Sequence, residues 1–183
     1  MYTPPLRSHC LATLITKDVA IDTAVTTLKR ALPRTDPMHV VGASKSYFPL
    51  LGLAFQLRSN SGPARRLSGT TMHVAVDRCS GTPIITSQWP LSPDCGTPSG
   101  ALDCSQLKFR VDIPTAIDSA RHAVTASLMR RLKLAAAFDL EVVECWWPLW
   151  KPNWCVQFLG HDVLVDAITG NTSVRTTAQA KAS

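Results

Sequence analysis

The chain has 183 residues, of which 45% are apolar and 17% are charged, a composition that excludes a disordered or collagen-like protein and allows a real hydrophobic core. Its 19 Lys and Arg residues and 13 Asp and Glu residues give a formal net charge of +6. This moderate excess permits an acidic protein, a nucleic acid or an anionic membrane surface as a partner, but it requires none of them.

The first 18 residues do not have the pattern of a secretory signal peptide. Their apolar run, residues 10–15, is short, and no small-residue cleavage site follows it. No later segment contains the roughly 20 consecutive apolar residues that a membrane-spanning helix requires. We therefore expect a soluble cytoplasmic protein without a transmembrane segment.

The first part of the chain, residues 9–88, predicts one helix among short strands. Asp18 is the expected cap of the helix, and Pro33 is expected to end it. Apolar residues recur at steps of three and four, as on one face of a helix. These residues are Ile21, Ala24, Leu28 and Leu32. The predicted strands cover residues 11–15, 39–41, 50–57, 71–77 and 84–87.

A segment rich in Pro, Gly and Ser, residues 89–104, is typical of a linker, and residues 105–177 then repeat the first pattern. Asp112 and Pro114 mark the start of a second helix. Its apolar stripe consists of Ile117, Ala120, Val124, Leu128 and Leu132. The predicted strands cover residues 107–111, 140–144, 155–159, 162–166 and 172–175. The tail, residues 178–183, is small and polar and is expected to fray.

Matched short sequences indicate that the two parts are copies of one unit. Ala-Ile-Asp-Thr-Ala at residues 20–24 corresponds to Ala-Ile-Asp-Ser-Ala at residues 116–120. Two further matches pair residues 47–50 with 146–149, and Asp77 and Gly81 with Asp166 and Gly170. We predict an α+β fold of two tandem β-α-β-β-β-β repeats related by a pseudo-two-fold axis, each with one helix packed on an antiparallel sheet.

An aromatic-Pro-apolar strand followed by a hairpin ending in Val-Asp-x-x-Thr-Gly resembles the PepSY family and related small α+β repeats with a cystatin-like layout. The matching residues of the second part are Pro148, Trp154, Val165, Asp166, Thr169 and Gly170. Those of the first part are Pro49, Val76, Asp77 and Gly81, with Ser80 in place of the threonine. PepSY proteins often accompany peptidases as inhibitory or chaperone-like modules, so the resemblance implies a binding or regulatory role.

The repeated Asp77 and Asp166 favour a structural role over a catalytic acid pair. Asp and Gly at a turn between two strands cap the backbone and supply a positive φ. An acid pair would have to converge in a cleft, and no sequence feature places these two residues together. We therefore expect both aspartates to organise hairpin turns.

The stretch CWWPLWKPNWC carries four of the five tryptophans. Core packing combined with a hairpin accounts for it, because aromatic side chains are mostly buried. The alternative is an exposed aromatic platform for a partner, held stiff by Pro148 and Pro152, with the loop around Trp150 and Lys151 exposed. The residues of this candidate partner-binding surface are Trp146, Trp147, Trp150, Lys151 and Trp154.

Basic residues gather in two places, a long Gly/Ser/Pro/Arg loop and the second helix. A solvated face is the ordinary explanation, and a phosphate-binding face is the alternative. No recognised RNA- or DNA-binding motif accompanies them. The candidate nucleic-acid contacts are Arg58, Arg65, Arg66, Arg121, Arg130, Arg131 and Lys133.

None of the six cysteines forms a Cys-x-x-Cys pair, so the usual zinc and redox spacings are absent. A metal site would have to combine Cys79, Cys95, Cys104 and His73, which matches no standard ligand pattern. Buried thiols are the better explanation. If the protein were exported, Cys145 and Cys155, which flank the proline-containing stretch, would be the expected disulfide.

No nucleotide-binding, hydrolase or metalloprotease motif occurs, so the sequence predicts neither a cofactor nor a catalytic residue. The leading hypothesis is a non-enzymatic binding or regulatory module for another protein. The second is a nucleic-acid-binding accessory protein that uses the basic loop and helix. The third is a small-ligand binder or enzyme with its site between the repeats.

Overall fold

A computed structural model describes residues 7–32, 38–60, 63–86, 89–93, 97–132 and 138–177. Pro33, Cys95, Lys133 and the predicted fraying tail therefore lie outside the described residues. No helix in the described part of the chain is long and apolar enough to cross a membrane.

Two α-helices and seven strands form the described fold, which confirms the α+β class. The helices are α1, Lys17–Ala31, and α2, Ile113–Leu132. The strands are β1 Arg7–Cys10, β2 Val40–Arg58, β3 Thr71–Asp77, β4 Thr82–Thr86, β5 Asp139–Phe158, β6 His161–Asp166 and β7 Thr172–Thr176. Short 3-10 turns occupy Pro63–Leu67 and Cys104–Gln106.

Polar side chains fix the start of each helix. The N-cap of α1 is Thr16, whose Oγ1 accepts a hydrogen bond from the Val19 amide at 3.4 Å. The predicted cap, Asp18, instead lies in the first turn, where its negative charge favours the helix dipole. Asp112 marks the start of α2 as predicted, because its Oδ1 accepts the Thr115 amide at 2.8 Å.

Strand neighbours follow the order β4-β3-β2-β5-β6-β7, with β1 beside β5. The β2–β3, β3–β4, β5–β6 and β6–β7 pairs are antiparallel, and β1 runs parallel to β5. In β2–β3, Leu51 lies opposite Val76, and in β5–β6, Trp154 lies opposite Val165. The antiparallel sheet expected from the sequence is therefore present.

The first compact unit consists of residues 1–10, 49–97 and 103–150. Helix α2 packs on β3 and β4 and buries one apolar face against them. On the other side of β2, Gly52 leaves room for neighbouring side chains. A Cβ there would lie 2.7 Å from Leu149 Cδ2 and 2.9 Å from the Trp89 ring. The core residues are Leu51, Leu53, Phe55, Leu57, Val74, Val76, Ala116, Ala120, Val124, Leu128, Leu140, Val142 and Cys145.

The second compact unit consists of residues 11–48, 98–102 and 151–183. Helix α1 packs on β6 and β7. Residues 98–102, part of the predicted linker, pair with the first half of β2 through the Tyr47–Ala101 bridge. The core residues are Ala20, Ala24, Leu28, Val156, Phe158, Val163 and Val165.

Each helix therefore packs on a hairpin from the other predicted segment. Helix α1 precedes β2 in sequence, yet it covers β6 and β7, while α2 covers β3 and β4. The reason is that β2 and β5 are each one uninterrupted strand, of 19 and 20 residues, where the sequence predicted two strands. The chain does not reverse within either strand, so it does not return to the helix that precedes it.

Residues 107–111, predicted as a strand, are irregular. The amides of Arg110 and Val111 both donate to the carbonyl oxygen of Arg78, at 2.9 and 3.3 Å. Adjacent amides of a strand point to opposite sides, so two amides on one carbonyl are incompatible with a sheet ladder. The segment is therefore hydrogen-bonded to the β3–β4 turn. We call this arrangement, two consecutive amides that donate to one carbonyl of a turn, a latch.

Residues 11–15 were also predicted as a strand, but β1 ends at Cys10 and only Leu11 makes a further bridge. The amides of Leu14 and Ile15 both donate to the carbonyl oxygen of Ala167, each at 2.9 Å. The β6–β7 turn of the second unit is therefore latched in the same way as the β3–β4 turn of the first.

Candidate partner-binding groove

A concavity with an apolar floor lies in the first unit, where the second half of α2 faces β3, β4 and the Pro63–Leu67 turn. Its volume is about 460 Å³, within the range of ordinary ligand pockets. We call it the basic groove. Its lining residues are Leu57, Leu67, Thr70, Thr71, Met72, Ile85, Thr86, Ser127, Leu128 and Arg131.

A long connection forms one wall of the basic groove. Residues 59–70 join β2 to β3, whereas two residues, 159–160, join β5 to β6 in the second unit. The long connection is held by two backbone hydrogen bonds, Gly69 amide to Leu57 carbonyl at 2.8 Å and Leu57 amide to Thr70 carbonyl at 3.0 Å. Gly69 has a φ of +86°, which glycine adopts without strain.

The floor of the basic groove is apolar and its rim is polar and positive. Leu57 and Leu128 belong to the core of the first unit and are 1% and 2% exposed, so they close the floor from below. The apolar surface that a partner could reach comes from Leu67, Met72 and Ile85. Threonine and serine hydroxyls and the Arg131 guanidinium provide the polar part of the lining. Arg65, Arg66 and Arg130 are exposed on the elements that form the groove. Such a surface suits an apolar group with an anion beside it.

Two of the predicted basic residues have structural partners instead. Arg58 Nε lies 2.5 Å from Glu141 Oε2 across the β2–β5 pair, and both side chains are largely exposed. Arg121 donates a hydrogen bond to the Leu140 carbonyl, and its guanidinium lies 5.6 Å from the Phe55 ring centre. Of the seven basic residues predicted as nucleic-acid contacts, Arg65, Arg66, Arg130 and Arg131 are therefore brought to the groove elements.

The tryptophan stretch is part of β5 and does not form an exposed hairpin. Trp146 and Trp150 are 6% and 4% exposed, so the prediction of an exposed loop around Trp150 is wrong. Pro148 and Pro152 lie inside the strand and do not form a turn. The side chains on both faces of the strand pack against other residues. Trp146 packs against Trp89 at 5.1 Å between ring centres, and Trp147 packs edge-on against Phe109 at 5.3 Å.

Trp154 and Lys151 make contacts within the second unit. Trp154 Nε1 donates to the Ile15 carbonyl at 2.9 Å, and Lys45 Nζ lies 4.8 Å from the Trp154 ring centre. Lys151 Nζ lies 2.8 Å from Asp166 Oδ2, and the two side chains are 27% and 14% exposed. The five residues of the proposed aromatic platform therefore do not present a flat exposed surface.

The turn aspartates have the structural role predicted for them. Asp77 Oδ1 accepts the Cys79 amide at 2.8 Å, and Asp166 Oδ1 accepts the Ile168 amide at 2.9 Å. Gly81 and Gly170 follow with φ values of +79° and +77°. Both turns thus combine an Asx hydrogen bond with a glycine in the left-handed region.

The pKa of Asp166 is lowered although its side chain is only 14% exposed. Burial alone would raise its pKa, but hydrogen bonds from Lys151 and the Ile168 amide, together with the Lys151 charge, outweigh burial and lower the pKa. A lowered folded-state pKa means that ionised Asp166 stabilises the fold above the unfolded pKa of about 3.9. This contribution is lost as the pH falls from about 3.9 through the lower folded-state pKa.

We predict that Asp166→Asn lowers stability at pH 7 and flattens its loss in acid. Urea unfolding of wild type and variant at pH 7 and in steps down to about pH 2 would measure both effects. Asp22→Asn, which removes an exposed carboxylate from α1, is the matched control. An Asp166→Asn curve parallel to wild type over the whole range would contradict the prediction.

The described cysteines are free thiols. Cys145 and Cys155 both lie within β5, so no turn brings them together and the conditional disulfide prediction is wrong. Burial raises the pKa of Cys145 to about 11, which makes it a poor nucleophile at neutral pH. Among the described residues no group of three or more His, Cys, Asp or Glu side chains is placed to hold a metal ion.

Comparison of the chain with protein-family models, with curated proteins and with solved structures gives no significant match. The resemblance to PepSY proteins therefore stays a prediction.

The arginines near the basic groove form recognisable clusters in the sequence, but the apolar floor of the groove does not. The lining comes from β2, β3, β4, α2 and the long connection, which are far apart in sequence. The available signal was the unequal length of the two strand connections, 59–70 against 159–160.

Proposed function

We propose that this protein is a binding module for another protein and that the basic groove receives an acidic segment of that partner. The observation that carries the proposal is a groove of about 460 Å³ whose lining combines apolar side chains with Arg131. Three further arginines are exposed on the elements that form it, Arg65, Arg66 and Arg130. An apolar side chain on the floor would supply binding energy, and carboxylates at the rim would supply specificity and a fast association rate.

The lining of the basic groove favours a protein over a nucleic acid. Single strands bind on aromatic side chains that stack with the bases, and none of the described lining residues is aromatic. Leu67, Met72 and Ile85 offer an apolar surface that a phosphate backbone does not use. A carboxylate beside a leucine or phenylalanine satisfies both parts of the groove.

The test is binding of synthetic probes to the purified full chain. The probes are a fluorescent peptide of alternating Glu and Leu, a neutral Gln and Leu peptide of the same length, and a fluorescent oligo(dT). We expect the acidic peptide to bind most tightly. The double variant Arg130→Glu/Arg131→Glu should lower the affinity for this peptide about tenfold or more.

The matched control is Lys29→Glu/Arg30→Glu, which makes the same charge change in the last turn of α1 in the second unit. It should leave the peptide affinity within about twofold of wild type, since it does not touch the groove lining. Preference for oligo(dT), or equal losses in both double variants, would contradict the proposal.

We also propose that the chain descends from a duplicated α+β unit of the PepSY-like type. The two latches support this: Leu14 and Ile15 correspond to Arg110 and Val111 when Ala20 is aligned with Ala116, and each pair binds the first residue after the turn aspartate. The strand registers revise one sequence match, because alignment of Val76 with Val165 pairs Pro49 with Pro152 and not with Pro148.

A further inference from the structure

Ser68 directly follows Leu67, a lining residue of the basic groove. It is exposed, and a Cβ built on the neighbouring Gly69 would meet no atom within 4 Å. The turn containing Ser68 is held by its own amide, which donates to the Arg65 carbonyl at 3.1 Å. An enzyme approaching from solvent therefore meets an unobstructed turn.

The residues before Ser68 are Arg65, Arg66 and Leu67, and both arginines are exposed. Protein kinases select substrates partly by charge pattern, and guanidinium groups pair strongly with carboxylates in the kinase cleft. Two exposed arginines two and three residues before an exposed serine are the pattern that arginine-directed kinases bind.

We propose that Ser68 is a phosphorylation site for an arginine-directed protein kinase and that its phosphorylation closes the basic groove to acidic partners. The second half of this inference rests on the function proposed above. The first half, the modification site, stands on the exposure and charge of the turn.

The chemistry is transfer of the γ-phosphoryl group of ATP to Ser68 Oγ. The new O–P bond forms as the bond from the γ-phosphorus to the leaving oxygen of ADP breaks, and the hydroxyl proton passes to the catalytic aspartate of the kinase. Ser68 Oγ accepts the Ser59 amide at 3.2 Å and so keeps its own proton for transfer. The ester oxygen of phosphoserine can still accept that amide, so the turn survives modification.

Phosphorylation would neutralise the positive charge of the turn. A phosphoserine carries about −1.5 to −2 charges at pH 7 and three strong acceptor oxygens. Arg65 and Arg66, on the same turn, would pair with the phosphate and be withdrawn from an incoming carboxylate. An acidic segment would then lose the attraction of this turn.

The experiment treats the folded full chain with ATP and the catalytic subunit of cyclic AMP-dependent protein kinase as the probe enzyme. Intact mass and peptide sequencing by mass spectrometry should find one phosphoryl group on Ser68 in wild type and none there in Ser68→Ala. The affinity for the fluorescent Glu/Leu peptide should fall about tenfold on phosphorylation of wild type and stay unchanged in kinase-treated Ser68→Ala.

Ser68→Glu should also lower the affinity for the Glu/Leu peptide. Ser173→Glu, an equal charge change at an exposed position of β7, should not lower it. Labelling of Ser68 only after heat denaturation, or an unaltered peptide affinity of the phosphoprotein, would overturn the inference. Failure of the unmodified chain to bind the peptide would overturn the proposed function and the switch, while the mass measurement would still decide the modification site.

Discussion

Replacement of Trp150 by alanine is expected to lower the free energy of unfolding by about 3–5 kcal/mol. The side chain is 4% exposed and lies in β5 beside Cys10 of β1, its parallel neighbour. Removal of the indole leaves a cavity in a packed sheet, and the surrounding chain can close it only in part. Urea unfolding followed by far-ultraviolet circular dichroism would measure the loss, because that signal comes mainly from the backbone.

Leu159→Ala is the matched control for Trp150, since Leu159 is 59% exposed at the end of the same strand region. Its effect should stay within about 0.5 kcal/mol. The loss of stability in Trp150→Phe should lie between those of Trp150→Ala and Leu159→Ala, because phenylalanine retains most of the buried ring. An unaltered midpoint for Trp150→Ala would contradict the burial and return attention to an exposed aromatic platform.

The second large effect is expected for Phe55→Ala, again about 3–5 kcal/mol. Phe55 is fully buried in the core of the first unit, and Arg121 lies over its ring. The variant removes ring packing and also the aromatic face that the guanidinium contacts. Because it could prevent folding altogether, Phe55→Leu provides a milder measurement, with an expected loss below about 1.5 kcal/mol.

A double-mutant cycle separates the two contributions at Phe55. Arg121→Met combined with Phe55→Leu should show a coupling of about 0.5–1 kcal/mol, because the cation–π contact exists only when both partners are present. Strict additivity of the two single variants would show that the contact between Arg121 and the Phe55 ring contributes no stability.

Helical periodicity was the most informative part of the sequence. It placed Ala24, Leu28, Ala120 and Val124 on the buried faces, and all four are buried. In α1 the buried face is centred one position earlier than predicted, on Ala20 instead of Ile21, because the small side chain permits close contact with the strands. Periodicity identifies an apolar face, but it does not identify the strands that cover it.

Prolines account for the main errors in the strands. Pro148 and Pro152 suggested a loop, and Pro49 was left outside the predicted strand 50–57, yet all three lie inside β2 and β5. A proline lacks an amide hydrogen, but it is compatible with an extended backbone wherever no ladder bond needs that donor. Local sequence does not reveal which ladder bonds are needed, so the continuity of the two long strands could not be predicted.

The basic groove was predicted only in its charged part. Arg65, Arg66, Arg130 and Arg131 stood out as clusters in the sequence, whereas Leu57 and Leu128 were indistinguishable from ordinary core residues. The floor of a groove is a property of packing between distant elements. It becomes visible only when those elements are assembled.

The packing of α1 on strands far along the chain has a consequence for folding during synthesis. Helix α1 is synthesised before β6 and β7, on which it packs, and the Thr27–Thr172 hydrogen bond joins residues 145 positions apart. Contacts at such sequence separation slow folding, and the growing chain exposes the apolar stripe of α1 until β6 and β7 are made. The nascent protein is thus expected to depend on chaperones until these two strands emerge.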